Sequence, residues 1–540
     1  MYVAPTLTRP VLRGRNYAVS TRKPQATQAA ERVLLAGGNA FDAAVAAMTV
    51  LAVTDAAMTG MGGDANILVY SAREKKVHAI NASGTTPQLA TIDWYRRNAG
   101  GRIPVSDGLL CGTVPGVPAA CHVLLDRWGT KPFSEVSAAG IELAEEGFPV
   151  SEFFIEFLAA HSEKLLKYPT SAAIYFPGGR TLKPGDILRN PDLAETLRAM
   201  ADRDEFYKGA PARRMADFAE NNGGLFRYDD FAQYEAKVEE PVSVNYRGYD
   251  VYKNASASQG PTELILLNLL EDHDLAGLGH NSADYINLSV EAAKLAYADR
   301  ERYLGDRAFI DIPYERLLAK HRAIVPLRTV ETVETAEHEM AGASHHGDTS
   351  YIAIVDKDRN AVSMTPSLHS AFGTGIVIDG TGLIFNCRGD CFELNPSHPN
   401  ALMPGKRPRS TLTPTIVMKD GQPSMILGSP GGDDQPLRIA QTFLNMVDFG
   451  MNIQEAIEAP RWSTTSFPAT EFPHTAYPNR IALEDRIPAD VRGELANRGY
   501  TVDTSGSWTM GANCGITVDP GTGVLNAGAD PRGDSYALAW

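Results

Sequence analysis

The sequence predicts a layered α+β fold, and three patterns point to it. Residues 349–355 and 361–367 alternate like two half-buried strands joined by a short polar turn, which is a β-hairpin. Further strand-like runs at 382–386, 415–419 and 424–428 are followed by a helical segment at 436–449. Near the N-terminus two helical segments precede a second hairpin. Strands and helices grouped in blocks bury their apolar faces as stacked layers.

In chain order, residues 25–36 read as an amphipathic helix stopped by Gly37-Gly38. Residues 42–53 are apolar nearly all round, so they form a buried helix. The turn Gly60-Met61-Gly62-Gly63 follows, then strands at 66–70 and 77–81 around Glu74-Lys75. Residues 130–320 are mostly helical in pattern, with Pro- and Gly-rich loops. Residues 329–346 are acidic and polar, then small and His-containing; with little to bury they are expected to be mobile. No internal repeat or coiled coil is visible.

With 540 residues, 44% of them hydrophobic and 21% charged, the chain can bury a large core. A formal net charge of -15 argues against a general nucleic-acid binder, which needs a basic surface to neutralise phosphates. Arg9, Arg13 and Arg15 have no apolar run behind them, so no secretory signal is expected. The most apolar stretch, residues 43–54, is shorter than the ~20 residues that span a bilayer. A cytoplasmic enzyme with no membrane partner is the expectation. Five scattered cysteines do not make a disulfide framework, and Cys387 and Cys391 lack the second pair a structural zinc site needs.

The chemistry gathers at Thr349. If Asp356 and Asn360 flank a three-residue loop, Thr349 lies opposite Ser367, and His369, two residues on, points to the same face. A threonine hydroxyl needs a base, and a threonine that becomes N-terminal carries one in its α-amino group, with a pKa of about 7.7–8.0. Exposing it requires a cut between Asp348 and Thr349, by attack of the hydroxyl on the Asp348 carbonyl. The tripeptide Gly-Asp-Thr alone equally describes a turn before a strand. Gly428-Ser429-Pro430-Gly431-Gly432 offers consecutive amides after a strand, suited to an oxyanion or simply to a turn. The basic and hydroxyl-bearing segment 406–411 suits a carboxylate, or else is a solvated loop.

These motifs in this order resemble the γ-glutamyltranspeptidase family of N-terminal-nucleophile hydrolases. The resemblance runs from AGGNAFDAAVAA and TGMGGDANILVY through GTVPGVPAA and AEEGFPVS. It is densest in HGDTSYIAIVDKDRNAVSMT, FGTGIVIDGTG, PNALMPGKRP, LTPTIVMKDG, GSPGG and FGMNIQEAIEAPRW, and closes on ADPRGDS. It implies a four-layer αββα sandwich and a precursor that matures into two intertwined subunits, residues 1–348 and 349–540. Thr349 matches the nucleophile and Ser367 a hydroxyl residue that hydrogen-bonds it. Gly431 and Gly432 match the oxyanion hole. No metal or organic cofactor is implied, and relatives suggest a dimer of heterodimers.

The substrate pocket departs from the family pattern. The arginine that holds a glutamyl carboxylate aligns with Ser83, and the aspartate that holds its amine aligns with Cys391. Asp390 is adjacent but would face away from an extended segment. An asparagine becomes His369 and a glutamine Arg388, while Ser410 and Thr411 keep the hydroxyl pair. Losing a charge pair and gaining Arg388 favours an anion without a partnering ammonium. The segments NASG, NCRGD and GGDDQP resemble a branch holding oxamate amidohydrolase and dicarboxylate-type β-lactam acylases. The short stretch 391–406 lacks a lid loop, which favours hydrolysis over transfer. The expected function is therefore hydrolysis of a small acidic acyl amide. The alternatives are a true γ-glutamyl (glutathione) hydrolase or transpeptidase, a biosynthetic acyl-bond hydrolase, or an unprocessed homologue used for binding.

Overall fold

The computed structural model of the 540-residue chain describes residues 7–324 and 349–540. The expected mobile segment and Asp348 lie outside the described residues. Two seven-stranded sheets form the centre. The first runs Tyr536–Ala539, Ala18–Thr21, Ile352–Val355, Ala361–Ser367, Asp64–Ser71, Lys76–Ala82, Lys237–Glu239, and each neighbouring pair is antiparallel. The second runs Leu12–Gly14, Leu525–Ala529, Cys514–Val518, Gln422–Gly428, Thr415–Lys419, Tyr249–Lys253, Val242–Tyr246, again antiparallel.

Three hydrophobic clusters show the layering. One joins the helices Pro24–Leu35 and Ala40–Thr54 to the first sheet through residues such as Ile67, Ile354 and Val362. A second packs side chains of both sheets together, with Leu68 and Tyr70 facing Ile416, Ile426 and Ile516. A third covers the second sheet with Gly260–Leu270, Ala283–Tyr303 and Gln435–Val447. The order helix, sheet, sheet, helix is the αββα sandwich expected.

The helix Ala40–Thr54 has every residue buried, as its uniformly apolar sequence requires. Its start is fixed by Asn39, whose side chain accepts from Phe41 N and Asp42 N while Asp42 accepts from Asn39 N. Burying Asp42 is tolerable because Thr130 and the Lys131 amide also donate to it.

The hairpin that carries Thr349 and Ser367 forms in the expected register. Ile352 pairs with Met364 and Val355 with Ala361, and the isolated bridge Thr349–Ser367 continues the same series. Asp356 closes the loop by accepting from the amides of Asp358 and Asn360, and it ties the loop to the buried helix through Ala40 N at 3.0 Å. Regular pairing begins at Ile352, three residues later than predicted.

Three other expectations need correction. The stretch 130–320 is not only helical: it contains the hairpin Val242–Tyr246/Tyr249–Lys253 and the strand Lys237–Glu239. Tight reversal at Arg247 (φ 50) and Gly248 (φ 86) makes this hairpin. The strand at 382–386 shrinks to Leu383–Ile384, because Asn386 instead donates its side chain to Gly62 O and Thr113 O. The helix predicted at 436–449 spans Gln435–Val447.

Candidate active site

Thr349 Oγ1 lies 3.2 Å from Ser367 Oγ, and Ser367 Oγ accepts from the His369 amide at 2.8 Å. Both hydroxyl residues are buried. Their meeting is a cross-strand contact, set by the hairpin register. On its other edge Ser367 is the register partner of Asp64. His369 reaches the site differently from the prediction. The strand ends at Ser367, and His369 takes φ 80, so alternation no longer governs its direction.

Behind His369 sits a buried polar cluster. Arg388 is fully buried and donates from Nε and Nη2 to Asp64, each at 3.2 Å. Its Nη1 donates to Thr411 Oγ1 at 2.9 Å and to His369 Nδ1 at 2.8 Å. Burial works against the Arg388 charge, but Asp64 outweighs it and the pKa rises above the usual arginine value. Arg388 is thus already neutralised, and it reaches the cleft only through Thr411 and His369. Asp390 does not face away as an extended segment would require. Arg388–Cys391 is a 3-10 turn, which brings Asp390 Oδ1 to 2.8 Å from His369 Nε2, while Asp390 Oδ2 accepts from Ser106 N at 3.0 Å.

His369, Asp390 and Cys391 place three potential metal donors within 4.8 Å of one another. The set does not fit a metal. Arg388 donates to Nδ1, so the imidazole proton sits on Nε2, the atom a metal ion would need. The cluster is a hydrogen-bonded support for His369.

The glycine turn follows the strand Gln422–Gly428 and leads through Gly432–Asp434 into the helix Gln435–Val447. Its amides therefore sit at a helix N-terminus, where the backbone dipole favours negative charge. Gly431 has φ 132, and a Cβ there would fall 2.1 Å from Arg438 Nη1. Arg438 in turn donates to Pro430 O at 3.0 Å. The turn is brought to the Thr349 strand by contact between the sheets: a Cβ on Gly428 would lie 2.0 Å from the Tyr351 ring. Tyr351 and Ser363 share a 2.6 Å hydrogen bond, and Ser363 Oγ accepts from Thr415 N.

Two supporting residues carry no local sequence signal. Gln259 Nε2 donates to Gly432 O at 2.9 Å and to Thr411 O at 3.0 Å, joining the two candidate binding segments. Its Oε1 accepts from Arg300, which also binds Asp433, Thr470 and Pro468 O. Burial penalises the Asp433 carboxylate, yet Arg300 and Thr470 hold its pKa below the usual range.

A cleft of about 240 Å³ opens here. His369, Thr411, Gly431 and Gly432 line it, with Phe467, Tyr477 and Arg480 further along. Thr349 and Ser367 are buried beside it and do not line it, nor do Ser83, Ser410, Arg388 and Asp390. Ser83 presents its carbonyl to Arg407 and Tyr234, and Ser410 Oγ accepts from Leu412 N. The basic side chains of segment 406–411 are neither solvated nor turned to the cleft, which the segment meets only through Thr411. Arg409 pairs with Glu301, Arg407 binds backbone carbonyls, and Lys406 donates to Pro399 O and Ala401 O. No helix among the described residues is long and apolar enough to cross a membrane.

Comparison with known proteins shows the family of the chain. The family model described as Gamma-glutamyltranspeptidase matches residues 26–540. The glutathione hydrolase-like YwrD proenzyme of Bacillus subtilis is 36% identical, over 95% of this chain and 96% of that protein. The acylase ACY 1 proenzyme of Pseudomonas sp. strain SE83 is 33% identical, over 96% and 93%. Among solved structures, cephalosporin acylase from Bacillus halodurans superposes with a TM-score of 0.88 at 32% identity, covering 100% of this chain and 98% of that one. A match along nearly the whole length, on the same sandwich, makes this an enzyme of the hydrolase and acyltransferase type: the chain belongs to the gamma-glutamyltranspeptidase family.

Proposed function

We propose that the chain cuts itself between Asp348 and Thr349 and then hydrolyses the amide of a small acidic acyl group through a Thr349 acyl-enzyme. The observation that carries this reading is the 3.2 Å contact between Thr349 Oγ1 and Ser367 Oγ, on a strand whose continuation, His369, lines a cleft with Gly431 and Gly432. Thr349 Oγ1 attacks the amide carbon and its proton passes to the freed α-amine. The amides of Gly431 and Gly432 receive the oxyanion. The α-ammonium then protonates the leaving amine as the C–N bond breaks. Water attacks the resulting ester, and the acid leaves as Thr349 regains its proton.

For the acyl carboxylate, Thr411 is the best-supported donor. Its hydroxyl accepts from Arg388, so its own proton is free to point into the cleft, polarised by the guanidinium. His369 flanks it, while Arg388 and Asp390 act from behind. Ser410 and Ser83 take no direct part in this reading.

Two outcomes check it. Incubation with a glutaryl amide or oxamate should leave an acyl adduct on the peptide beginning at Thr349, detectable by mass spectrometry and absent from Thr349→Ala. Thr411→Val should lower kcat/KM for the acidic acyl amide about 10- to 100-fold, the scale of a hydrogen bond to a charged group. A glutathione hydrolase is the second reading, favoured by relatives of that name such as the Escherichia coli K12 proenzyme, 34% identical over 96% of this chain. Faster release from glutathione than from the glutaryl amide and oxamate would select it.

A further inference from the structure

The cleft does not end at the glycine turn. Its far wall comes from the small sheet Trp462–Thr464, Arg480–Glu484, Thr501–Ser505 and the segment before Arg480. Phe467, Ala469, Tyr477 and Ala482 put apolar surface on this wall, among the polar side chains of Thr464, Thr465 and Thr475. Thr465 Oγ1, also on the lining, has no hydrogen-bond partner among the described residues.

The charges on this wall are already matched. Asp503 accepts from Arg480 Nε at 2.5 Å and Nη2 at 3.1 Å. Asp434 accepts from Arg438 Nη2 at 3.0 Å and Ser463 Oγ at 2.5 Å. Asp433 is held by Arg300 and by Thr470 N at 2.7 Å. A carboxylate entering here would find Arg300, Arg438 and Arg480 each already bonded to an aspartate. Desolvating an ion without a partner is costly, whereas a flat neutral group needs only the apolar surface of Phe467, Ala469, Tyr477 and Ala482.

We propose that this wall is a leaving-group subsite that takes uncharged, flat amines and turns away amines bearing a carboxylate. The assignment rests on the reading of Thr349 as nucleophile with Thr411 on the acyl side, which leaves this wall to the rest of the substrate. The leaving half of glutathione carries a carboxylate, so the subsite works against it, and Asp503 is the residue that keeps Arg480 from accepting such a group.

Calorimetric binding of 4-aminobenzamide and 4-aminobenzoate to the purified full chain tests this directly. The two amines share a shape and differ in charge. The amide should bind at least 10-fold more tightly. Asp503→Asn, which releases Arg480, should strengthen benzoate binding and close the gap, while Tyr477→Ala should weaken the amide. Arg480→Gln, which leaves Asp503 unpaired, should widen the gap and serves if Asp503→Asn fails to fold. Equal binding of the two amines, no binding of the amide, or a ratio indifferent to Asp503→Asn and to Arg480→Gln would overturn the subsite. No bond is cleaved in this experiment, so its failure leaves the Thr349 reading standing; that reading fails separately, by the absence of an acyl adduct.

Discussion

Gly431 shows how tightly single residues are constrained at this site. Its φ of 132 lies where side chains are strained, and a Cβ would collide with Arg438 at 2.1 Å. Gly431→Ala must move the turn, the guanidinium or both. Its expected effect is a fall in kcat of about 100-fold or more with KM little changed, the scale for losing one oxyanion donor. Steady-state kinetics on a single acyl amide checks it; unchanged kcat would remove the turn from the mechanism. The pairing of Thr349 with Ser367 was legible because strand register follows from loop length alone. The positions of His369 and Asp390 were not, since a positive φ and a 3-10 turn interrupt the alternation on which such arguments depend. Arg388 was legible as a cation but not as a neutralised one, because its partner Asp64 is 324 residues away in sequence. The contacts of Gln259 and Arg300 with each other and with the two binding segments span 41 to 173 residues, and no local pattern announces them.

At the scale of elements, the second sheet is joined to its outer helix by a fully buried ion pair. Lys253 on the strand Tyr249–Lys253 binds Glu263 on the helix Gly260–Leu270 and Thr415 on the neighbouring strand. Burial pushes the Glu263 carboxyl up to about 7, with Lys253 only partly opposing it. Breaking such a pair from one side strands the other group, so Lys253→Met should cost about 3–5 kcal/mol of stability. Lys253→Met combined with Glu263→Leu should recover part of that loss in denaturant unfolding; a double variant less stable than the single would contradict the assignment. Elements with strong alternation or an all-apolar face were readable from the sequence, as the hairpin Ile352–Val355/Ala361–Ser367 and the helix Ala40–Thr54 show. The hairpin Val242–Tyr246/Tyr249–Lys253 was hidden by the helical stretches on either side, although Val-Ser-Val-Asn-Tyr alternates and Arg247-Gly248 marks its turn.

Across the whole molecule, strands from before and after residue 349 interleave in both sheets. Ile352–Val355 lies between Ala18–Thr21 and Ala361–Ser367, and Thr415–Lys419 lies between Tyr249–Lys253 and Gln422–Gly428. Two fragments meeting at Thr349 would share one core, so cleavage should leave the native size unchanged and separate the pieces only on denaturation. The layered α+β class could be read from strand and helix blocks, but the interleaving only from the family resemblance, because each sheet is closed by pairings between distant parts of the chain. The central claim is that Thr349 becomes an N-terminus, and intact mass with N-terminal sequencing of the purified protein tests it most directly. Two polypeptides are predicted, the smaller starting at Thr349, with a single uncut chain for Thr349→Ala. A wild-type chain that stays whole while turning over an acyl amide, or a Thr349→Ala chain that is still cut at this position, would contradict it.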